Sequence, residues 1–164
     1  NIMLGYGLYH RGFVKEAYEV LIDIQSIMDD SGRTKSFPGV SSFMDNEGRG
    51  AYNYLTGSSS WLMMLIATQL FGVRGEQGHL RINPKLLKTQ FGKSGEAKLN
   101  MWFRNKQISI HFKLVSPGEK SELRINDKHL TSAYVHSKGW LIDKQVFDKA
   151  TNKEINIISI LIKE

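Results

Sequence analysis

Thr56-Gly57-Ser58 stands immediately ahead of an apolar run, Trp61 to Ala67, that has the length and composition of a buried helix. The unpaired backbone N–H groups and the positive dipole end at such a helix mouth favour an anion. Gly57 lets the backbone come close to a ligand, and the hydroxyls of Thr56 and Ser58 add donors. The same three residues also read as an ordinary Ser/Thr N-cap followed by a core helix. Other chemistry finds less footing. The histidines, His10, His79, His111, His129 and His136, have no His-x-x-x-His spacing and there is no cysteine, so no metal site is expected. Gly48-x-Gly50 lacks a following Rossmann pattern, so no nucleotide loop is indicated.

The elements that must hold this helix mouth change character along the chain. From Phe13 to Met28 the apolar residues Val14, Ala17, Leu21, Ile24 and Met28 form one stripe of an amphipathic helix, ended by Asp29-Asp30-Ser31-Gly32. Gly5 to Tyr9 reads as the tail of an earlier helix, turned by His10-Arg11-Gly12. Residues 32–57 contain nine Gly, Pro or Ser and predict a long loop, of the kind that is usually functional. A helix from Ser59 to Phe71, closed by Gly72, is apolar on every face and predicts burial all round, which two or three helices cannot supply. Residues 1–72 therefore read as a piece of a larger helical domain.

After Gly75 the period drops to two. Leu80 and Ile82 alternate with polar neighbours, as do Ala97, Leu99, Met101 and Phe103, and then Ile108, Ile110, Phe112 and Leu114. These predict half-buried antiparallel strands, the last two joined through Arg104-Asn105-Lys106. Leu123-Arg124-Ile125, Tyr134 to Val135 and Trp140 to Ile142 continue the pattern, and Glu154 to Ile162 is a final strand apolar on both faces. The expected fold class is α+β, with a helical domain over 1–75 followed by an antiparallel β-sandwich over 76–164.

Composition agrees with a globular chain: 164 residues, 41% hydrophobic, and a longest apolar run far short of the roughly 20 residues of a bilayer span. No membrane partner is expected. Asn1-Ile2-Met3-Leu4 shows no basic leader region and reads as cut from something longer. Residues 1–72 carry a net charge of −2 and residues 73–164 a net +8, with the lysines scattered singly through alternating sequence. That distribution predicts lysines on the wet face and edges of a sheet and no nucleic-acid partner.

Glu47 to Trp61, followed by Phe71-Gly72-Val73-Arg74-Gly75 and Leu80-Arg81-Ile82-Asn83-Pro84, resembles the C-terminal part of inverting glycoside phosphorylases related to cellobiose and chitobiose phosphorylase, glycoside hydrolase family ninety-four. Leu8-Tyr9-His10-Arg11-Gly12 with Glu16-Ala17-Tyr18 is similar to a helix turn of the same family, and the resemblance extends over residues 1 to about 91. It implies the closing helices of an (α/α)6 barrel followed by a jelly-roll-like β-sandwich. The family's phosphate-binding Thr-Gly pair falls on Thr56 and Gly57. The reaction implied is phosphorolysis of a β-linked glucan or disaccharide with inversion, inorganic phosphate being a co-substrate and no cofactor being used. The family's general-acid Asp, a phosphate-binding His and an Arg precede residue 1, so no catalytic residue is expected in this chain, and the remainder of the parent enzyme is a necessary partner. A cytoplasmic homodimer is also implied; the lack of cysteine fits a reducing compartment.

Two further candidates lie beside the Thr-Gly pair. Arg49 could meet the sugar or the phosphate, or form an ion pair with Glu47 that braces the turns at Gly48 and Gly50. Tyr54, which stands where the cellobiose branch usually has Trp, could join Tyr52 as a stacking wall for a pyranose, or line the barrel core. Two alternatives to the phosphorylase remain: part of an (α/α)6 glycoside hydrolase, and a noncatalytic carbohydrate-binding or assembly module with Trp102, Tyr134 or Trp140 as its platform, residues that could also be core.

Overall fold

The computed structural model describes residues 1–34, 40–52, 57–115, 121–130 and 139–162, with the backbone alone of 134–136. The chain is α+β and divides into two compact units, Asn1–Leu70 and Phe71–Glu164. Tyr54 and Thr56 lie outside the described residues.

In the first unit, α1 (Ile2–Arg11) ends in a left-handed Gly12. Its N–H bonds Tyr9 O and the next N–H, of Phe13, bonds Leu8 O, a Schellman closure that reverses the chain into α2 (Val14–Asp29). The expected stripe on α2 faces inward: Ala17 and Ile24 are buried, and Val14, Leu21 and Met28 are half-buried. Gly5 allows α1 to lie close to both neighbours, since a Cβ there would meet Leu65 Cδ1 at 3.1 Å and Val20 Cγ1 at 3.4 Å. The expected long loop is partly structured. It holds the single turn α3 (Ser31–Thr34) and a small hairpin, β1 (Phe43–Met44) with β2 (Gly50–Ala51).

The apolar helix starts earlier than expected, as α4 (Gly57–Met64), and continues as a π-helical turn over Leu65–Leu70 in which Thr68 Oγ1 donates to Met64 O. It is not buried all round. Leu62, Leu65 and Leu70 are inside, whereas Met63 is 67% exposed and Trp61 and Met64 are also open. Two antiparallel helices and a hairpin cover one side of a helix and leave the other.

The second unit contains β3 (Val73–Glu76), β4 (His79–Ile82), β5 (Glu96–Phe103), β6 (Lys106–Leu114), β7 (Glu122–Ile125), β8 (Lys128–His129), β9 (Tyr134–His136), β10 (Gly139–Ile142), α5 (Lys144–Ala150) and β11 (Ile155–Ile162). They form two sheets, ordered β3-β4-β10-β9 and β5-β6-β11-β7-β8. One core joins both sheets, with Leu80, Ile82 and Ile142 from the first and Ile108, Ile110, Phe112, Ile158 and Ile160 from the second. Three hairpins turn on two residues that are both at positive φ: Gln77-Gly78, Arg104-Asn105 and Asn126-Asp127. This backbone twist matches that of the strands it joins.

The all-antiparallel expectation fails at one place: β11 runs parallel to β6, pairing Ile158 with Ile110 and Ile160 with Phe112. A parallel neighbour needs a long crossover, and the segment through β7–β10 and α5 provides it. Although β11 is apolar on both faces, only Asn156, Ile158 and Ile160 are buried; Ile155 and Ile157 face outward. At the head of the unit Gly72 (φ 65°) lies against the end of β4, where a Cβ would be 1.8 Å from Asn83 O. The Asn83 N–H bonds Gly72 O, so only glycine closes this corner.

Candidate functional site

The mouth of α4 borders a cleft of about 460 Å³ within the first unit. Ser58 and Trp61 come from the first turns of α4, Ser41, Ser42 and Phe43 from the approach to β1 and its first residue, and Ile24 from α2. Among the described residues that line it, the polar groups are the serine hydroxyls and Asn1, with its carboxamide and terminal amine, and the walls are aromatic and aliphatic. Gly57 opens α4, is exposed, and among the described residues beyond its own helix turn has no atom within 4 Å of the position a Cβ would take. A ligand can therefore approach its backbone directly. Trp61 is held edge-on by Tyr6, with ring centroids 5.7 Å apart.

The β1–β2 hairpin is braced from within. Asp45 accepts from the backbone N–H groups of Glu47 and Arg49 and, at 2.9 Å, from Arg49 Nε. The Arg49 guanidinium also reaches Glu47 at 2.8 Å. The Arg49 N–H and guanidinium together hold the Asp45 carboxyl below the usual carboxylate range. Of the two readings of Arg49, the geometry realises the brace, and the guanidinium is engaged by both loop carboxylates. Arg33 ties the hairpin to α3 by donating to Gly48 O. Gly50 is where β2 presses on Ser41 and Thr34, since a Cβ would lie 2.1 Å from Ser41 Oγ and 3.2 Å from Thr34 Cα.

Tyr52, just past β2, is exposed and takes a left-handed φ of 54°, with its ring 5.7 Å from Phe43. Such a conformation costs a non-glycine residue roughly 1 kcal/mol or more, and it concentrates at functional loops. Of the residues expected at the site, Gly57 stands at the helix mouth and Arg49 in the hairpin, while Thr56 and Tyr54 fall outside the described residues. Sequence reasoning missed Ser41, Ser42 and Phe43. Their signal was weak, being hydroxyls and one aromatic in a Ser/Gly-rich stretch.

The three aromatic residues considered for a sugar platform in the second unit separate. Trp140 is 7% exposed and belongs to the core, and the side chain of Tyr134 lies outside the described residues. Trp102 is 68% exposed on the outer face of the five-stranded sheet. In register with it stand Gln107 on β6 and Ile155 on β11, and one row along are Asn100, Ser109 and Ile157. The charged residues on the same face are paired: Glu96 with Lys98 and Lys113, and Glu122 with Arg124.

No protein-family model matches this chain, and no curated protein is significantly similar to it. Among the described residues no helix is long and apolar enough to cross a membrane.

Proposed function

We propose that this chain is the C-terminal part of an inverting glycoside phosphorylase acting on a β-linked glucan or disaccharide, with Thr56 and Gly57 as its phosphate clamp. The observation that carries the reading is the open mouth of α4: a glycine with clear space at its Cβ position, beside a cleft that presents serine hydroxyls and an aromatic wall. Phosphate held there by N–H groups and hydroxyls would attack the anomeric carbon from the face opposite the leaving oxygen. The glycosidic C–O bond breaks as a carboxylic acid delivers its proton to the departing oxygen, giving a sugar 1-phosphate of inverted configuration. That acid comes from the rest of the enzyme, so the chain alone turns nothing over. The uncovered apolar side of α4 supports membership of a larger (α/α)6 barrel, and the two sheets around one core support a jelly-roll-like sandwich. A cytoplasmic homodimer completes the reading and rests on the family resemblance.

The test is release of sugar 1-phosphate from β-linked gluco-oligosaccharides by the complete enzyme, with and without phosphate. Thr56→Ala is expected to raise the phosphate KM by roughly tenfold or more, the loss of one hydrogen bond to a charged group. Phosphate-independent turnover that ignores the substitution would assign the chain to a hydrolase.

A second reading, a noncatalytic carbohydrate-binding module, is favoured by one observation: Trp102 lies open beside Gln107, Asn100 and Ser109 on a face whose charges are internally paired. A flat ring flanked by carboxamides and a hydroxyl suits an uncharged polyol. On this reading Trp102→Ala abolishes retention on immobilised β-glucan, whereas Thr56→Ala leaves it unchanged.

A further inference from the structure

The second unit brings Lys128 to one concavity with Lys149 and Lys153, which lie some twenty residues further along the chain. A cleft of about 500 Å³ lies between the β7–β8 turn and the C-terminal end of α5, and Lys128, Lys149 and Lys153 line it together with Asn152 and the apolar floor of Val146 and Ala150. No carboxylate lines it among the described residues. Among the described residues none of the three ammonium groups makes an ion pair: Asp148 is taken by Arg104 at 2.6 Å, and Glu122 by Arg124.

The ordinary reason for lysines at a helix end is to satisfy its last carbonyls. Two of those carbonyls are met here by other groups. Phe147 O accepts from both the N–H and the hydroxyl of Thr151, and Ala150 O accepts from Asn126 Nδ2 at 3.0 Å. Asn126 in turn donates to buried Asn156. Three exposed lysines thus border a hollow whose described lining carries no carboxylate.

We propose that this cleft is a binding site for a small phosphate monoester. Three ammonium groups match the dianion, Asn152 offers hydrogen bonds to a polar body, and Val146 and Ala150 offer a surface for its carbon skeleton. A nucleic acid fits less well: the site is a compact hollow, and among the described residues no aromatic side chain lines it to stack a base. The inference does not depend on the phosphorylase reading, because it uses residues of the second unit only.

The experiment is an amide chemical-shift titration of the 15N-labelled 164-residue chain with glucose 6-phosphate, inorganic phosphate and potassium chloride at matched ionic strength. Saturable shifts at Lys128 and over residues 149–153 are expected with the monoester, weaker ones with phosphate and none with chloride. Lys149→Gln and Lys153→Gln should each weaken binding about tenfold, the loss of one charge-assisted contact, with the remaining spectrum unchanged. Binding should also weaken below about pH 6, where the monoester becomes a monoanion. Shifts that follow ionic strength without saturating, or that survive the double substitution, would overturn the proposal. So would tighter binding of a single-stranded oligonucleotide. Shifts at Gly57 and Ser58 are read separately in the same spectra, so failure at the lysine cleft and failure at the helix mouth are distinct results.

Discussion

The two units solve the problem of burying apolar side chains to very different degrees. Among the described residues, the second unit holds fourteen of the twenty buried hydrophobic side chains, and only Trp102, Ile155 and Ile157 of its large hydrophobics are exposed. The first unit buries six and leaves nine large ones open, Met3, Leu4, Phe13 and Met63 among them. Both are built from locally sound elements, with caps, turns and stripes in order. What separates them is closure. Two sheets facing each other bury the inner face of each, whereas two antiparallel helices and a third crossing them have more apolar faces than mutual contacts. Secondary structure alone therefore does not make an independent core.

The largest expected effect of this difference is in hydrogen exchange. In the intact chain the amides of β6 and β11 should exchange only through global opening of the second unit, while those of α2 and α4 exchange through cheaper local opening. A gap of at least about a hundredfold in protection factor is expected, corresponding to roughly 3 kcal/mol. Equal protection in the two units would break the comparison. On the proposed phosphorylase reading, adding the rest of a helical barrel should raise protection in α4 and leave β11 unchanged.

A sharper form of the contrast lies within one strand. Ile158 is fully buried and Ile157 is 42% exposed on the opposite face of β11. Ile158→Ala should cost about 2–5 kcal/mol in chemical denaturation, through lost burial and the cavity left behind. Ile157→Ala should cost under about 1 kcal/mol. Comparable losses would mean that the outer face of the sheet is covered in solution.

Local rules made some of this legible and left the rest hidden. The α2 stripe and the alternation of β5 and β6 could be read because burial follows their own periods. Parallel pairing of β11 with β6 could not, since alternation along a strand is the same in either direction. Seven-residue α5 is too short for a period to show, although Asp143 caps it by accepting from the Gln145 and Val146 N–H groups. The turns hid a third feature: Arg104-Asn105 adopts the twist that Asn-Gly would advertise. At the candidate site, the helix start was legible because Gly and hydroxyl residues precede an apolar run. Ser41 and Phe43 were not, because the β1–β2 fold-back brings them to α4. The lysine cleft escaped for the same reason: only the tertiary arrangement sets Lys128 beside Lys149 and Lys153.

The smallest expected effect is on the response to acid, and it should narrow the gap between the units. Six carboxyls are held below their ordinary range, one in the first unit and five in the second. In the first, the Arg49 N–H and guanidinium hold Asp45 down. In the second, Arg81 acts on Glu76, Lys113 on Glu96, Arg124 on Glu122, the Gln145 N–H on Asp143 and Arg104 on Asp148. A carboxyl whose folded pKa is depressed stabilises the fold above its unfolded pKa, and that contribution is lost as pH falls through the folded value. His111 adds to the same trend. Partial burial, and then the charge of Lys98, lower its pKa, so the unfolded chain takes up the proton first and stability declines below about pH 6.5. All six side chains keep between 20% and 44% of their surface open to water, so each contribution is small. Thermal unfolding followed from pH 7 to 3 should show a slight decline of the second unit as His111 titrates and a steeper one below about pH 4, with the first unit changing less. Glu122→Gln and Asp148→Asn together should flatten the steeper limb and leave the His111 limb in place, since neither carboxyl acts on His111; an unchanged profile would mean that the pairs with Arg124 and Arg104 contribute nothing measurable.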